Sequence, residues 1–189
     1  MKLPKISKRE HITRAVGMLL LLAAVIAVPV VGLLAEKGSY REYESTVLQY
    51  AQTYGVSPAL VFSVMETESS FRPDEVSHAG AKGLMQITPE TFVWLQTKTG
   101  EALGEEMLLD SETSIKYGTF FLSILLREFN NTDTALAAYN AGMNAVAGWL
   151  KNPDYSDDGE TLKEIPFSET AYYVKKVNKA FKKYQELYK

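Results

Sequence analysis

The sequence predicts an all-α fold, with a single helical domain behind one N-terminal transmembrane helix. Three observations carry this prediction. Residues 15–35 contain no charged or polar side chain. Beyond them, helix start signals recur along the chain, and strands with alternating apolar and polar residues are hard to find. We therefore divide the chain into a basic arm (1–14), a transmembrane anchor (15–35), a short linker (36–42) and a helical domain (43–189).

The helices of the domain follow from residues that favour helix starts. Ser57-Pro58 and Thr88-Pro89 each combine an N-cap residue with a proline at the first helical position. Asp110, Thr132 and Ser168 each precede a run with helical spacing. The predicted helices are 42–54, 58–70, 89–99, 111–129, 133–150 and 169–187.

Residues 15–35 are long enough to cross a membrane, because 21 residues of helix extend roughly 30 Å. Residues 1–14 carry five basic side chains and one acidic one, whereas the rest of the chain has a net charge of −7. This asymmetry predicts a cytoplasmic N-terminus and an extracytoplasmic domain on a single-pass anchor. A cleaved signal peptide is the alternative, but Leu33-Leu34-Ala35 is a poor cleavage site.

Composition excludes several classes of function. The chain has no cysteine and only two histidines, so we expect neither a thiolate nor a histidine-rich metal site. It has no GxxxxGK[ST] or GxGxxG run to hold a nucleotide phosphate. An acidic body does not suit a nucleic-acid binder. We expect no metal, no cofactor and no nucleic-acid partner.

The helix that starts at Pro58 carries one carboxyl group at an unexpected place. At about 100° per residue, Glu68 falls within an apolar arc that includes Val64 and Met65. Glu66 falls away from that arc, beside Phe62 and Ser63, and is expected to be solvated. A buried glutamate with a raised pKa can act as a general acid near neutral pH. The alternative is that Glu68 caps or pairs with a neighbouring helix.

The loop after this helix has the composition of a ligand-binding segment. Gly80 and Gly83 allow close approach of the backbone to a ligand, although a purely conformational role is the favoured interpretation for both. Ser77 and Gln86 offer neutral hydrogen-bonding groups that suit sugar hydroxyls and amides better than phosphate.

Three blocks of the sequence resemble the soluble-type lytic transglycosylases, relatives of goose-type lysozyme. Residues 68–87, ESSFRPDEVSHAGAKGLMQI, resemble the family signature E-S-x-F-x-P followed by serine and G-A-x-G-L-M-Q. Residues 135–142, ALAAYNAG, match a second family block, and residues 165–174, IPFSETAYYV, match a third. The blocks occur in family order. Ser114 departs from the family, which usually has asparagine there.

The resemblance implies a lysozyme-like fold and cleavage of the MurNAc–GlcNAc bond of peptidoglycan without water. Glu68 would be the single catalytic group, acting first as an acid and then as a base. The product would carry a 1,6-anhydro-MurNAc end. Peptidoglycan strands would be the substrate, the lipid bilayer would hold residues 15–35, and proteins of the cell envelope are possible partners.

The resemblance also assigns roles to other positions. Residues expected to bind the substrate, or to support its groove, are Ser77, Gln86, Tyr139, Asn140, Glu169 and Tyr173. Residues expected to support the site are Ser69, Gly80, Gly83, Met85 and Thr88.

Two other functions remain open at this point. A lysozyme-like hydrolase of the same bond would need a base to activate water, and Asp74 or Glu75 is the candidate. A non-catalytic glycan-binding module of an envelope-spanning assembly would need no such base. An intact glutamate on an apolar face argues against a purely binding role.

Overall fold

The computed structural model of this chain describes residues 40–188. The predicted arm (1–14), the predicted anchor (15–35) and most of the predicted linker (36–42) lie outside the described residues. Within residues 40–188, no helix combines the length and the apolar character needed to cross a bilayer. The helical unit begins at Tyr43.

The part of the chain that the structure describes is helical, as the sequence predicts, and its only β-pairing is two isolated bridges within residues 76–87. A short 3-10 helix, Glu105–Leu109, was not predicted. The α-helices are α1 (Glu44–Tyr54), α2 (Pro58–Ser69), α3 (Pro89–Thr99), α4 (Ser111–Phe129), α5 (Thr132–Ala141), α6 (Met143–Leu150) and α7 (Ser168–Gln185).

Two of the predicted N-caps are confirmed by their hydrogen bonds. The Thr88 hydroxyl accepts a hydrogen bond from the Thr91 N–H at 3.2 Å, and the Asp110 carboxylate accepts one from the Thr113 N–H at 2.9 Å. Both bonds satisfy an amide that has no partner within its helix.

Two other helix starts differ from the prediction by one residue. Asn131, not Thr132, caps α5, because its side chain accepts a hydrogen bond from the Thr134 N–H at 2.9 Å. The N-cap of α7 is Phe167, which has no capping side chain, and Ser168 is the first residue of the helix.

The single helix predicted over residues 133–150 is wrong, because the structure divides it into α5 and α6 at Gly142. This glycine has φ 89° and ψ 146°, a conformation that residues with a Cβ rarely adopt. The Gly142 N–H still bonds to the Ala138 carbonyl at 2.9 Å and so closes the last turn of α5. Apolar residues continue across the break, and this continuity explains why the pattern read as one helix.

Helix α2 lies at the centre of the domain, where it contacts α1 and packs most extensively on α7. Every residue from Ala59 to Met65 is buried, including Phe62 and Ser63, so α2 has no solvated face over its first two turns. Glu66, predicted to be solvated, is half-buried, with its side chain 32% exposed. Its carboxylate accepts hydrogen bonds from the Tyr184 hydroxyl at 2.5 Å and from Lys183 Nζ at 3.1 Å, and these bonds fasten α2 to α7.

Candidate active site

Glu68 lies in the last turn of α2, where the chain turns sharply into the following loop. Ser70 and Phe71 both have positive φ, at 51° and 61°. Two consecutive non-glycine residues in this region are unusual, and strained backbone of this kind clusters at functional sites. The turn ends α2 one residue after Glu68 and leaves the Glu68 carboxyl partly buried at the end of the helix.

The surroundings of Glu68 favour its protonated form. Burial raises the pKa of Glu68 to about 7, compared with an ordinary value of 4.5. The Tyr173 hydroxyl and the Lys176 ammonium both favour the carboxylate and lower the pKa, but they only partly offset the burial. At neutral pH the group is thus divided between acid and carboxylate, a state suited to a group that both donates and accepts a proton.

Two buried tyrosines border this carboxyl group. Tyr139 comes from α5 and Tyr173 from α7, and burial, together with the charge of Glu68, raises the pKa of each hydroxyl well above 10. The Tyr139 hydroxyl donates a hydrogen bond to the Met85 carbonyl at 2.8 Å. Within residues 40–188, the Tyr173 hydroxyl is the single buried side-chain polar atom that lacks a well-formed hydrogen bond, although it lies beside Glu68. We infer that it is available to a ligand or to the Glu68 carboxylate.

The loop after α2 is fixed against the domain by hydrogen bonds near Glu68. The Ser69 hydroxyl donates to the Leu84 carbonyl at 2.9 Å, and the Met85 N–H donates to the Ser114 hydroxyl at 3.2 Å. Both serines are buried. Met85 packs against Gly118 so closely that a Cβ there would overlap its side chain. These contacts join the end of α2 to α4 through the loop.

Gln86 and Gly83 shape the same loop from within. Gln86 has φ 48°, and its side-chain amide donates to the carbonyls of Glu75 at 3.0 Å and Gly83 at 2.9 Å. Gly83 has φ 77°, and an added Cβ would overlap the Leu108 carbonyl oxygen. The amide group predicted to bind sugar thus also holds the loop in shape.

Other predicted site residues stand further along this loop. The Ser77 hydroxyl accepts a hydrogen bond from the Ala81 N–H at 3.0 Å, and Gly80, at φ 81°, completes that turn. Thr88 caps α3 and is half-buried. Each of these residues therefore has a structural role that does not depend on a ligand.

Two predicted site residues are exposed, unlike the two tyrosines that border Glu68. Asn140 is exposed near the end of α5, where its side-chain oxygen accepts a hydrogen bond from the Thr170 hydroxyl at 2.8 Å. Glu169 is exposed in the first turn of α7 and does not contribute to the pKa of Glu68. Within residues 40–188, no group of three His, Asp or Glu side chains could hold a metal ion.

The structure adds two residues that the sequence did not assign to the site. Lys176 influences the pKa of Glu68, and Ser114 holds the Met85 amide. Lys176 follows Tyr173 by three residues, which places the two side chains on the same face of α7. This three-residue spacing could have indicated Lys176 from the sequence alone. No such pattern could have indicated Ser114, because its partner Met85 lies far away in the sequence.

A helical domain with a partly buried glutamate of raised pKa, bordered by two tyrosines, is typical of a protein with a general acid–base site. The chain belongs to the Transglycosylase SLT domain family, whose model matches residues 45–162. The helical, lysozyme-like domain expected from the resemblance is thereby confirmed.

Curated relatives of this chain are lytic murein transglycosylases. The soluble lytic murein transglycosylase of Salmonella typhimurium is 37% identical over 139 residues, an alignment that covers 71% of this chain and 22% of the relative. The membrane-bound lytic murein transglycosylase C of Actinobacillus pleuropneumoniae is 32% identical over 170 residues, an alignment that covers 76% of this chain and 46% of the relative. The chain thus spans less than half the length of these relatives.

Solved structures show the same domain. The lytic transglycosylase Slt of Pseudomonas aeruginosa, described as an inactive Glu-to-Gln mutant, is 34% identical with a TM-score of 0.67, and the match covers 77% of this chain and 24% of that one. The 70 kDa soluble lytic transglycosylase of Escherichia coli is 30% identical with a TM-score of 0.68 and the same coverage.

Proposed function

We propose that this protein is a peptidoglycan lytic transglycosylase that cleaves the MurNAc–GlcNAc β-1,4 bond without water. The observation that carries the proposal is the Glu68 carboxyl, partly buried at the end of α2 with a pKa of about 7. The family membership and the names of the relatives support the same reaction.

In the proposed reaction, Glu68 serves twice. The protonated carboxyl first donates its proton to the glycosidic oxygen, and the bond from that oxygen to C1 of MurNAc breaks. The resulting carboxylate then takes the proton from the C6 hydroxyl of the same MurNAc, and the C6 oxygen bonds to C1. The products are a free GlcNAc hydroxyl and a 1,6-anhydro-MurNAc end. The glutamate returns to its acid form, so one carboxyl group completes the cycle.

The surroundings of Glu68 suit both of its forms. Burial favours the acid that starts the reaction, whereas Tyr173 and Lys176 favour the carboxylate that follows. We propose that Tyr139 and Tyr173 hold the carboxyl group in place, and that Ser77, Gln86, Asn140 and Glu169 contribute to sugar binding at the edges of the groove.

The hydrolytic alternative has less support. Glu75, a candidate base, pairs with Arg72 at 2.7 Å, and this pairing lowers its pKa. Asp74 is exposed. Neither carboxylate affects the pKa of Glu68, whereas the second carboxylate of an inverting or a retaining glycosidase lies within about 10 Å of the acid.

We further propose that residues 15–35 anchor the domain to the outer face of the cytoplasmic membrane. The uncharged stretch and its basic N-terminal flank support this location. The membrane-bound name of one group of relatives is consistent with it. Peptidoglycan close to the membrane would be the accessible substrate.

Mass spectrometry of sugar products tests the reaction. The full chain is incubated with purified peptidoglycan, and we expect products that end in 1,6-anhydro-MurNAc, one water lighter than reducing ends. Reducing ends would instead establish hydrolysis. A folded protein that binds glycan strands but releases no product would establish a binding module.

The dependence of rate on pH should reveal the contact between Tyr173 and Glu68. In the wild type, kcat/KM should fall as the pH rises through about 7, since the acid form of Glu68 is needed to start the reaction. Because the Tyr173 hydroxyl lowers the pKa of Glu68, Tyr173→Phe should move this fall to higher pH. Tyr155→Phe, at a tyrosine in the segment between α6 and α7 that does not contribute to the pKa of Glu68, should leave the midpoint unchanged. If the midpoint of the fall in kcat/KM were the same in Tyr173→Phe as in the wild type, the Tyr173 hydroxyl would not influence Glu68, and the residue would serve only in packing.

A further inference from the structure

A basic groove of about 550 Å³ lies between the last turn of α2 and the outer face of α7. Its lining includes four lysines but only one carboxylate, that of Glu66. Spaced along α7, they are Lys175, Lys176, Lys179 and Lys183. We call this surface the lysine groove.

The four lysines are not equivalent. Lys183 pairs with Glu66, and Lys176 lies near enough to Glu68 to lower its pKa. Lys175 and Lys179 are exposed, and no ion pair with another described residue involves either of them. The lysine groove thus has positive charge that residues 40–188 do not neutralise.

The lining of the groove suits a short chain that carries carboxylates. Thr67 of α2 and Ser70, directly after the helix, contribute hydroxyl groups, and the Tyr172 ring, 65% exposed, forms part of the wall. Ammonium groups bind carboxylates as point charges, hydroxyls donate hydrogen bonds to peptide carbonyls, and an exposed ring covers aliphatic side chains. Thr67 and Tyr172, which line the groove, are the sequence neighbours of Glu68 and Tyr173, so the groove adjoins the candidate acid–base site.

We propose that the lysine groove binds the acidic peptide stem attached to the glycan strand. This inference rests on the proposed function, because the MurNAc units of peptidoglycan carry short peptides with free carboxylates. A stem on a sugar bound beside Glu68 starts next to Lys176 and can extend along α7 past Lys175 and Lys179. The enzyme then prefers glycan that still carries its peptides.

The shape of the groove favours a peptide over a membrane surface. Lipid headgroups present a broad, nearly flat layer of charge, whereas these lysines converge on a concave space between two helices. The lysines also lie near the C-terminus of α2, where positive charge stabilises a helix. That role alone predicts a change in stability and no change in the choice of substrate.

The first test measures how strongly the enzyme prefers substrate that carries peptides. This preference is the ratio of kcat/KM for intact glycan strands to kcat/KM for strands whose peptides an amidase has removed. In the full chain with Lys175→Glu and Lys179→Glu, we expect this ratio to fall about tenfold, since two exposed charges that attract the peptide carboxylates would then repel them. A control with Lys182→Glu and Lys151→Glu has the same total charge, with both changes outside the groove, and should keep the wild-type ratio.

A direct binding measurement separates the groove from the reaction. The free peptide stem released by the amidase is titrated into each full-length variant by calorimetry, at low and at moderate salt. The groove variant should bind about tenfold more weakly, the control should bind as the wild type does, and the milder pair Lys175→Gln and Lys179→Gln should fall between them.

The outcomes distinguish failure of the groove from failure of the proposed function. If the chain cleaves no glycan but its peptide binding depends on the groove lysines, the proposed reaction is wrong and the proposed peptide-binding role of the groove is supported. If all variants cleave glycan with the same preference for peptide-bearing strands and bind the peptide equally well, the proposed role of the groove is wrong. Loss of binding to phosphatidylglycerol vesicles, without loss of peptide binding, would instead assign the lysines to a membrane surface.

Discussion

The Glu68→Gln variant is expected to lose about a thousandfold or more of the lytic activity while keeping its fold. Glutamine matches glutamate in shape but can neither donate nor accept the proton that both proposed steps need. The rate of release of 1,6-anhydro products from purified peptidoglycan measures the loss. Far-ultraviolet circular dichroism checks that the helices are intact.

The matched control for this variant is Glu90→Gln, at an exposed position in the first turn of α3. It makes the same change in charge and should keep the wild-type rate within about twofold, because surface changes far from a site have small effects. If Glu68→Gln kept more than a tenth of the wild-type rate, Glu68 would not be the proton donor.

The same Glu68→Gln variant should be more stable than the wild type above pH 7. The pKa of Glu68 is about 7 in the folded protein and near 4.5 when the group is solvated, so the unfolded chain ionises first as the pH rises. The wild type therefore loses stability between pH 4.5 and 7, by up to on the order of 3 kcal/mol. Glutamine does not titrate. Urea unfolding at pH 4 and pH 8 should show the two proteins diverging only at the higher pH.

The second large effect is expected at Gly83, where substitution by alanine should destabilise the domain by about 3 kcal/mol or more. Alanine is disfavoured at φ 77°, and its Cβ would overlap the Leu108 carbonyl oxygen, which is backbone and cannot move aside by a change of rotamer. Urea unfolding of the full chain, or a loss of folded yield, measures the effect.

Gly80→Ala separates the two causes at Gly83. Gly80 has nearly the same backbone conformation, with φ 81°, but nothing lies within 4 Å of an added Cβ. It should cost only about 1 kcal/mol, the contribution of the left-handed conformation alone. Equal losses at the two glycines would mean that the close approach of Gly83 to Leu108 contributes little.

The sequence determined most of the helices, because their starts depend on local chemistry. Thr88 and Asp110 cap their helices through side chains that reach amides three residues ahead, so a few neighbouring residues were enough to locate α3 and α4. The division at Gly142 could not be found in this way. Apolar residues continue through it, and only its backbone conformation ends α5.

The orientation of α2 was only partly predictable for a related reason. A helical wheel assumes one buried face and one solvated face, but α2 is surrounded by other elements over its first two turns. Glu66 was expected to be solvated, yet it meets Tyr184 and Lys183 from the far end of the chain. No pattern within α2 could show that pairing.

The sequence by itself singled out Glu68, because a carboxylate on an apolar arc is costly and the motif around it is specific. Only the tertiary structure decided the environment of that carboxyl group. Its burial, the Tyr139 and Tyr173 hydroxyls and the Lys176 charge come from helices that are distant in the sequence. A pKa depends on desolvation and on nearby charges in space, so it follows from the packing of α2, α5 and α7 and not from any one of them.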